Sequence, residues 1–142
     1  MHNGFTLVEL LIILTLIIVI FSLTIPLGIN FYKNQTLDEV ATDILSNLRK
    51  AHNKAVFQKN DSAFGIKFFP DSYILFQGNN FSSRIQDEDE NFSLPYSINV
   101  NGISEIVFSK LSGTTTAGAL IISSGSNSKT ININEQGKVD IQ

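Results

Sequence analysis

The sequence has no cysteine, no tryptophan and only two histidines among its 142 residues. Without cysteine there can be no disulfide bond, no thiolate metal site and no cysteine nucleophile. A Ser-His-Asp catalytic site would have to be built on His52, and no nucleophile-elbow motif accompanies it. We therefore predict that the chain is not an enzyme and has no cofactor, no metal site and no small-molecule substrate.

Basic charge is also scarce. The chain has 10 Lys and Arg residues against 13 Asp and Glu residues, which gives a net charge of −3. In residues 111–142, Lys129 and Lys138 are balanced by Glu135 and Asp140. Proteins that bind nucleic acid carry a basic surface, so we expect no nucleic acid partner.

Charge is almost absent from the N-terminal segment, where Glu9 is the only ionisable residue between residues 5 and 25. At about 1.5 Å per residue, a helix of this length spans roughly 30 Å, the thickness of the hydrocarbon core of a bilayer. The segment has neither the basic start nor the small-residue cleavage site of a removable secretory signal. The pattern predicts a transmembrane helix.

Glu9 is the exception within this apolar run. A carboxylate in a membrane helix costs about 2.5–3.5 kcal/mol near the centre and usually marks a function. Its simpler interpretation is an interfacial residue in the first helical turn, stabilised by the helix dipole. If the chain were cut after Gly4, however, Phe5 would carry a new α-ammonium group. The amine of an offset neighbouring helix could then pair with Glu9 and neutralise both charges.

The stretch from Gly4 to Leu11, GFTLVELL, followed by a long apolar run, resembles the class III signal of type IV prepilins and type II secretion pseudopilins. The resemblance implies that a prepilin peptidase cuts after Gly4, that Phe5 becomes the N-methylated first residue, and that Glu9 directs filament assembly. It also implies other (pseudo)pilin subunits and an assembly platform as partners. The leader lacks the Lys or Arg that the family usually carries before the glycine.

The chain beyond the apolar run changes its pattern. Pro26 removes a helical hydrogen bond and, with Gly28 two residues later, predicts a helix kink at a position where pilin helices often bend. Apolar residues then recur every three or four positions, which predicts an amphipathic helix. These residues are Leu37, Val40, Ala41, Ile44, Leu48, Ala51 and Ala55.

The remaining sequence has the pattern of short strands separated by turns. We predict a hairpin from residues 63–69 and 73–76, an irregular loop over residues 79–92, and strands at residues 96–100, 105–110, 119–123, 129–134 and 138–141. The helical stretch at residues 43–51 and the strand pattern near the C-terminus resemble GspH/FimT-type pseudopilins.

Two features of the sequence each allow more than one interpretation. The acidic run at residues 87–90 is expected to be a solvated loop, although clustered carboxylates could also bind calcium. The aromatic residues between Phe64 and Phe81 are expected to pack the sheet on the helix, although they could also line a ligand groove or stack on single-stranded nucleic acid.

Together these patterns predict an α+β protein with a pilin-like fold. We expect a leader at residues 1–4, a transmembrane and assembly half of the helix at 5–29, an amphipathic half at 30–60, and a β-rich domain at 61–142. The predicted function is a minor pseudopilin or pilin subunit, anchored by a single pass in the inner (cytoplasmic) membrane with its C-terminal domain outside the cytoplasm, and then incorporated into a filament. The alternative is a tip-located minor pilin that acts as an adhesion or DNA-uptake module.

Overall fold

The fold is known from a computed structural model, which describes Gly4, residues 6–57 and residues 61–142. Side chains are described for the same residues except 23–30, where only the backbone is considered. Met1 to Asn3 and Phe5 lie outside the described residues, as do residues 58–60.

A long α-helix, α1, runs from Leu7 to Val56 and is 50 residues long. At about 1.5 Å per residue it extends roughly 75 Å. The apolar run and the amphipathic segment predicted from sequence are therefore two halves of one helix. The helix continues through residues 23–30 without a break in its assignment. The kink at Pro26 and Gly28 falls on residues whose side chains are not described, so it stays a prediction.

In the part of the chain that the structure describes, eight strands form two antiparallel four-stranded sheets. The first sheet has the order β3-β2-β1-β5 and the second has the order β4-β6-β7-β8. The strands are β1 (Phe64–Phe68), β2 (Ser72–Gln77), β3 (Glu90–Ser93), β4 (Asn99–Gly102), β5 (Glu105–Phe108), β6 (Gly118–Ser124), β7 (Asn127–Ile133) and β8 (Val139–Ile141). This arrangement confirms the predicted α+β class and the pilin-like combination of a long helix with antiparallel sheets.

The second half of α1 packs against both sheets. It contacts β1 and β5 of the first sheet and β6, β7 and β8 of the second. The apolar stripe predicted from Leu37 to Ala55 is buried along its whole length. Its three alanines, Ala41, Ala51 and Ala55, are fully buried. Their small side chains let the strands approach the helix backbone, so one helical face can serve two sheets.

The hairpin of β1 and β2 is confirmed, but two other predictions for this region were wrong. Residues 79–92 are not all loop, because β3 begins at Glu90 and pairs with β2. The strand expected at residues 96–100 begins instead at Asn99. The amide of Ile98 donates to the carbonyl of Pro95 at 2.9 Å, which forms a turn that leaves Tyr96 fully exposed.

Candidate assembly surface on the N-terminal helix

The start of α1 is fixed by a capping box. Thr6 is the N-cap, with φ −78° and ψ 152°, and its Oγ1 accepts a hydrogen bond from the Glu9 amide at 3.3 Å. In return, the Thr6 amide donates to Oε2 of Glu9 at a longer distance of 3.5 Å. The sequence signal for this motif is a Thr followed by a Glu three residues later, before an apolar run. Our sequence interpretation overlooked it.

Glu9 therefore has a structural role within its own chain. Its carboxylate lies in the first helical turn, where the amide groups give a partial positive charge. The side chain is nevertheless exposed, and its hydrogen bond to the Thr6 amide is at the long limit for such a bond. A cation on a neighbouring molecule could therefore still reach this carboxylate.

The predicted cleavage position lies just before this cap. Gly4 is exposed, and a Cβ atom added to it would have no neighbour within 4 Å. Phe5 lies outside the described residues, so the assigned scissile bond and the methylation of Phe5 stay predictions.

The first half of α1 has exposed apolar side chains on every face of the helix. The exposed fraction is 79% for Leu7, 42% for Ile17 and 63% for Phe21, whereas the stripe on the second half is buried. Phe31 and Tyr32, in the middle of the helix, are exposed as well. Exposed contiguous apolar surface of this extent indicates contact with lipid or another protein.

Within the residues whose structure is described, no helix meets the length and hydropathy that a membrane crossing requires. The transmembrane segment predicted for residues 5–25 thus remains a prediction.

His52 lies in a packing position near the end of α1. Its ring meets the ring of Phe108 edge-on, with centroids 5.4 Å apart. The ring is also enclosed by two glycines with positive φ, because a Cβ atom on either Gly113 or Gly137 would come within 2.5 Å of it. His52 thus joins the helix to the loop after β5 and to the turn before β8.

The acidic run at residues 87–90 is divided among different structures. Glu90 begins β3, where Lys50 and Lys54 each contact one of its carboxylate oxygens at 2.5 Å. Partial burial tends to raise the pKa of Glu90, but the hydrogen bonds and charges of the two lysines outweigh it and lower the pKa overall. Asp89 accepts from Nε of Arg84 at 2.7 Å. Among the described residues, no group of three or more acidic or histidine side chains is placed to hold a metal ion.

The aromatic residues of the first sheet divide into two packed groups. Phe76 and Phe69 meet Phe81 edge-on, and the guanidinium of Arg84 lies 3.8 Å from the centre of the Phe81 ring. These contacts hold the segment between β2 and β3 against the sheet.

The second aromatic group lies beside α1. Tyr73 stacks on Phe92 of β3 with ring centroids 4.8 Å apart, and its hydroxyl accepts a hydrogen bond from Asn47 of the helix at 2.9 Å. Burial raises the pKa of Tyr73, the hydrogen bond from Asn47 opposes this, and the negative charge of Asp43 adds to the rise. This second group packs the sheet on the helix, as we expected from the sequence, whereas the first group packs the segment after β2 against the sheet.

Comparison with solved structures identifies the architecture. The minor pseudopilin EpsH from the type 2 secretion system of Vibrio cholerae is similar over 75% of this chain and 95% of its own, with a TM-score of 0.58 and 12% sequence identity. This chain has a pseudopilin-like fold. No family model matches the sequence, and no curated protein matches it. The N-terminal motif and the pattern of helix and strands thus predicted the pseudopilin-like fold, although the sequence identity to EpsH is very low.

Proposed function

We propose that this protein is a minor pseudopilin or pilin subunit that assembles into a filament through the first half of α1. The observation that carries the proposal is the contrast between the two halves of the helix. The apolar stripe from Leu37 to Ala55 is buried against two sheets, whereas the large apolar residues from Leu7 to Phe21 are exposed. A helix half of this kind is stable only when lipid or neighbouring helices cover it.

In this proposal the first half of α1 occupies two environments in turn, the membrane and then the filament. Residues 5–29 first lie in the inner membrane, with the domain of residues 61–142 outside the cytoplasm. Prepilin peptidase then removes residues 1–4 and methylates Phe5, and the subunit moves into a pseudopilus or pilus. Lipid is as apolar as a filament core, so close packing and polar pairing, rather than the exclusion of water, favour this transfer.

Glu9 supplies the polar pairing in this proposal. Among the described residues, its carboxylate accepts a long hydrogen bond from the amide of Thr6. The α-ammonium of Phe5 on a neighbouring processed subunit would form a charge-assisted bond, which is roughly twice as strong as a neutral one. Glu9 would then pair two charges that are costly to bury separately.

The first experiment determines the intact mass and N-terminal sequence of the protein purified from membranes. We expect a chain that begins at Phe5 and is one methyl group heavier than calculated. Gly4→Ile should retain residues 1–4, because a β-branched side chain replaces the glycine at the scissile bond, whereas Asn3→Ala should be processed normally. A wild-type chain that keeps Met1 would refute the proposed processing.

The role of Glu9 needs a separate comparison. Glu9→Ala should be processed normally but should be depleted from the sheared filament fraction. Thr6→Ala is the matched control, because it removes the capping hydroxyl and leaves the carboxylate in place. If Thr6→Ala were depleted as strongly as Glu9→Ala, the capping box rather than an intermolecular pair would explain the defect.

A further inference from the structure

Three aromatic side chains of this protein are exposed and do not contribute to its core. The exposed fraction is 71% for Phe31 and 70% for Tyr32 on α1, and Tyr96, in the turn before β4, is fully exposed. Tyr73, in contrast, is buried, and its hydroxyl bonds to Asn47. No described residue forms a hydrogen bond with the hydroxyl of Tyr32 or of Tyr96. The position of these three side chains in the fold shows what they could meet.

The hairpin of β6 and β7 lies beside the two helix aromatics. Asn127, at the start of β7, donates a hydrogen bond to the side chain of Asn34. Lys129, two residues further along, pairs with Asp38 at 2.6 Å. These contacts are two residues apart on the strand and four apart on the helix, distances of about 7 Å and about 6 Å. Strand β7 therefore runs alongside α1 in the same direction, and the turn at residues 125–126 lies level with the two helix aromatics.

Tyr96 lies at the same end of the second sheet. The pairing of Asn99 with Ser123 places the start of β4 beside the end of β6 that leads into the hairpin turn. The turn at residues 95–98 comes directly before β4, so it continues toward the hairpin turn. We call this end of the sheet domain, formed by residues 95–98 and 124–127, the base.

The base carries no charge. Residues 91–104 contain no Asp, Glu, Lys or Arg, and neither do residues 111–128. Besides Tyr96, the exposed side chains at the base are those of Pro95, Ser97, Ser126 and Asn127. Removing such groups from water costs much less than removing charged ones. The base can therefore approach an interface that is partly apolar and partly polar.

The length of the uncharged part of α1 matches a bilayer. No charged residue occurs between Glu9 and Lys33, an interval of 24 positions, or about 36 Å of helix. The hydrocarbon core of a bilayer is about 30 Å thick, and the headgroup regions increase this to about 40–45 Å. With Glu9 in one headgroup region, Phe31 and Tyr32 lie in the other. Tyrosine is enriched at this depth because its ring is apolar and its hydroxyl is polar.

We propose that the base of the sheet domain rests on the lipid headgroups of the membrane, with Phe31, Tyr32 and Tyr96 in the interfacial layer. The two helix aromatics set the depth of the helix. Tyr96 lies away from the helix axis, so it also fixes the rotation of the domain about that axis. The partner of this surface is lipid, and the contact is broken when the subunit enters a filament. This inference rests on the proposed function, because it describes the subunit at its membrane stage.

Tryptophan substitution tests the contact, because the natural chain has no tryptophan. Full-length Tyr32→Trp and Tyr96→Trp are reconstituted in phosphatidylcholine vesicles whose lipid is brominated either near the headgroup or near the chain end. The fluorescence of both variants should be quenched roughly twofold more by bromine near the headgroup. The matched control is Phe57→Trp, at the far end of α1, where the side chain is 81% exposed. Its fluorescence should be quenched by neither lipid.

Two results would overturn the proposal. Fluorescence of Tyr96→Trp that responds to neither brominated lipid would mean that the base does not touch the membrane. Stronger quenching of Tyr32→Trp by bromine near the chain end would mean that the helix lies deeper than the interfacial layer.

Cysteine labelling gives an independent measurement, because the natural chain has no cysteine. Ser126 lies in the hairpin turn at the base, and Ser112 is equally classed as exposed in the loop after β5, where the neighbouring Leu111 bonds to the end of α1. In membrane vesicles, Ser126→Cys should react with a charged maleimide roughly fivefold more slowly than Ser112→Cys. Adding Tyr32→Ser and Tyr96→Ser to both variants should bring the two rates together. Equal rates without these additional changes would contradict the contact.

Leu14→Trp separates failure of this inference from failure of the proposed function. Leu14 lies in the middle of the exposed apolar half of α1, so its replacement should be quenched most by bromine near the chain end. If it is, while Tyr96→Trp is quenched by neither lipid, only the contact of the base is refuted. If Leu14→Trp is itself quenched by neither lipid, the membrane stage of the proposed function is refuted.

Discussion

Leu48 and Leu11 lie on the same helix in opposite surroundings, so one substitution tests the division of α1 into two halves. Leu48 is fully buried between the helix and the sheets, whereas Leu11 is 57% exposed. Replacing either residue by alanine removes the same atoms from the same secondary structure. Any difference in effect must therefore come from the surroundings of the side chain rather than from helix propensity.

The expected magnitudes differ severalfold. Leu48→Ala leaves a cavity in a packed core, and such changes lower the free energy of unfolding by about 2–5 kcal/mol. With a urea dependence of about 1.5 kcal/mol per molar for a small domain, a loss of 3 kcal/mol lowers the unfolding midpoint by about 2 M. Leu11 is largely exposed, so Leu11→Ala should change the free energy of unfolding by no more than about 0.5 kcal/mol.

Urea unfolding of the full chain in a non-ionic detergent measures both effects. The chain has no tryptophan and three tyrosines. Of these, Tyr73 is buried in the domain, while Tyr32 and Tyr96 are exposed. A change in tyrosine fluorescence thus reports the opening of the sheet domain.

Two outcomes would refute the reasoning. An unchanged midpoint for Leu48→Ala would mean that the second half of the helix does not form the core. A midpoint shift for Leu11→Ala as large as that of Leu48→Ala would mean that the first half is packed on the domain.

Three further changes test individual contacts by the same urea assay. Glu90→Gln should lower the free energy of unfolding by up to about 1 kcal/mol at neutral pH. The pKa of Glu90 is lower in the folded protein than in the unfolded chain. The extra stability of the wild type is therefore complete above about pH 4.5 and is lost as the pH falls through the pKa that Glu90 has in the folded protein. Tyr73→Phe removes the hydroxyl that accepts a hydrogen bond from Asn47, so it should lower the free energy of unfolding by about 0.5–1.5 kcal/mol. Because this variant lacks the buried tyrosine, its unfolding is followed by circular dichroism. Gly137→Ala should destabilise far more than Gly125→Ala, since both have positive φ but only Gly137 is enclosed; equal losses would contradict this.

The elements that the sequence predicted well are those whose signal is local. The hairpin of β1 and β2 follows from apolar and aromatic runs on either side of a turn that contains Pro70 and Asp71. The buried stripe from Leu37 to Ala55 follows from spacing alone, because a helix packed on one side repeats every three or four residues.

The elements that the sequence did not reveal depend on distant residues. The four residues of β3 have only one large apolar member, Phe92, and β3 is held by stacking on Tyr73 and by the contact of Glu90 with two lysines of α1. No local pattern encodes these contacts. The cap formed by Thr6 and Glu9 is different, because its signal was present in the sequence and was obscured by the functional interpretation of Glu9.

The order of elements along the chain has a consequence for how the domain folds. The helix comes first, and the strand that covers one side of it, β8, comes last, so that the hydrogen bond from Arg49 to Val139 joins residues 90 positions apart. Contacts between such distant residues form slowly, because a long loop must close before they can stabilise anything. The buried stripe of the helix is therefore made early during synthesis and covered late. In the interval a chaperone or the membrane surface would have to shield it from aggregation.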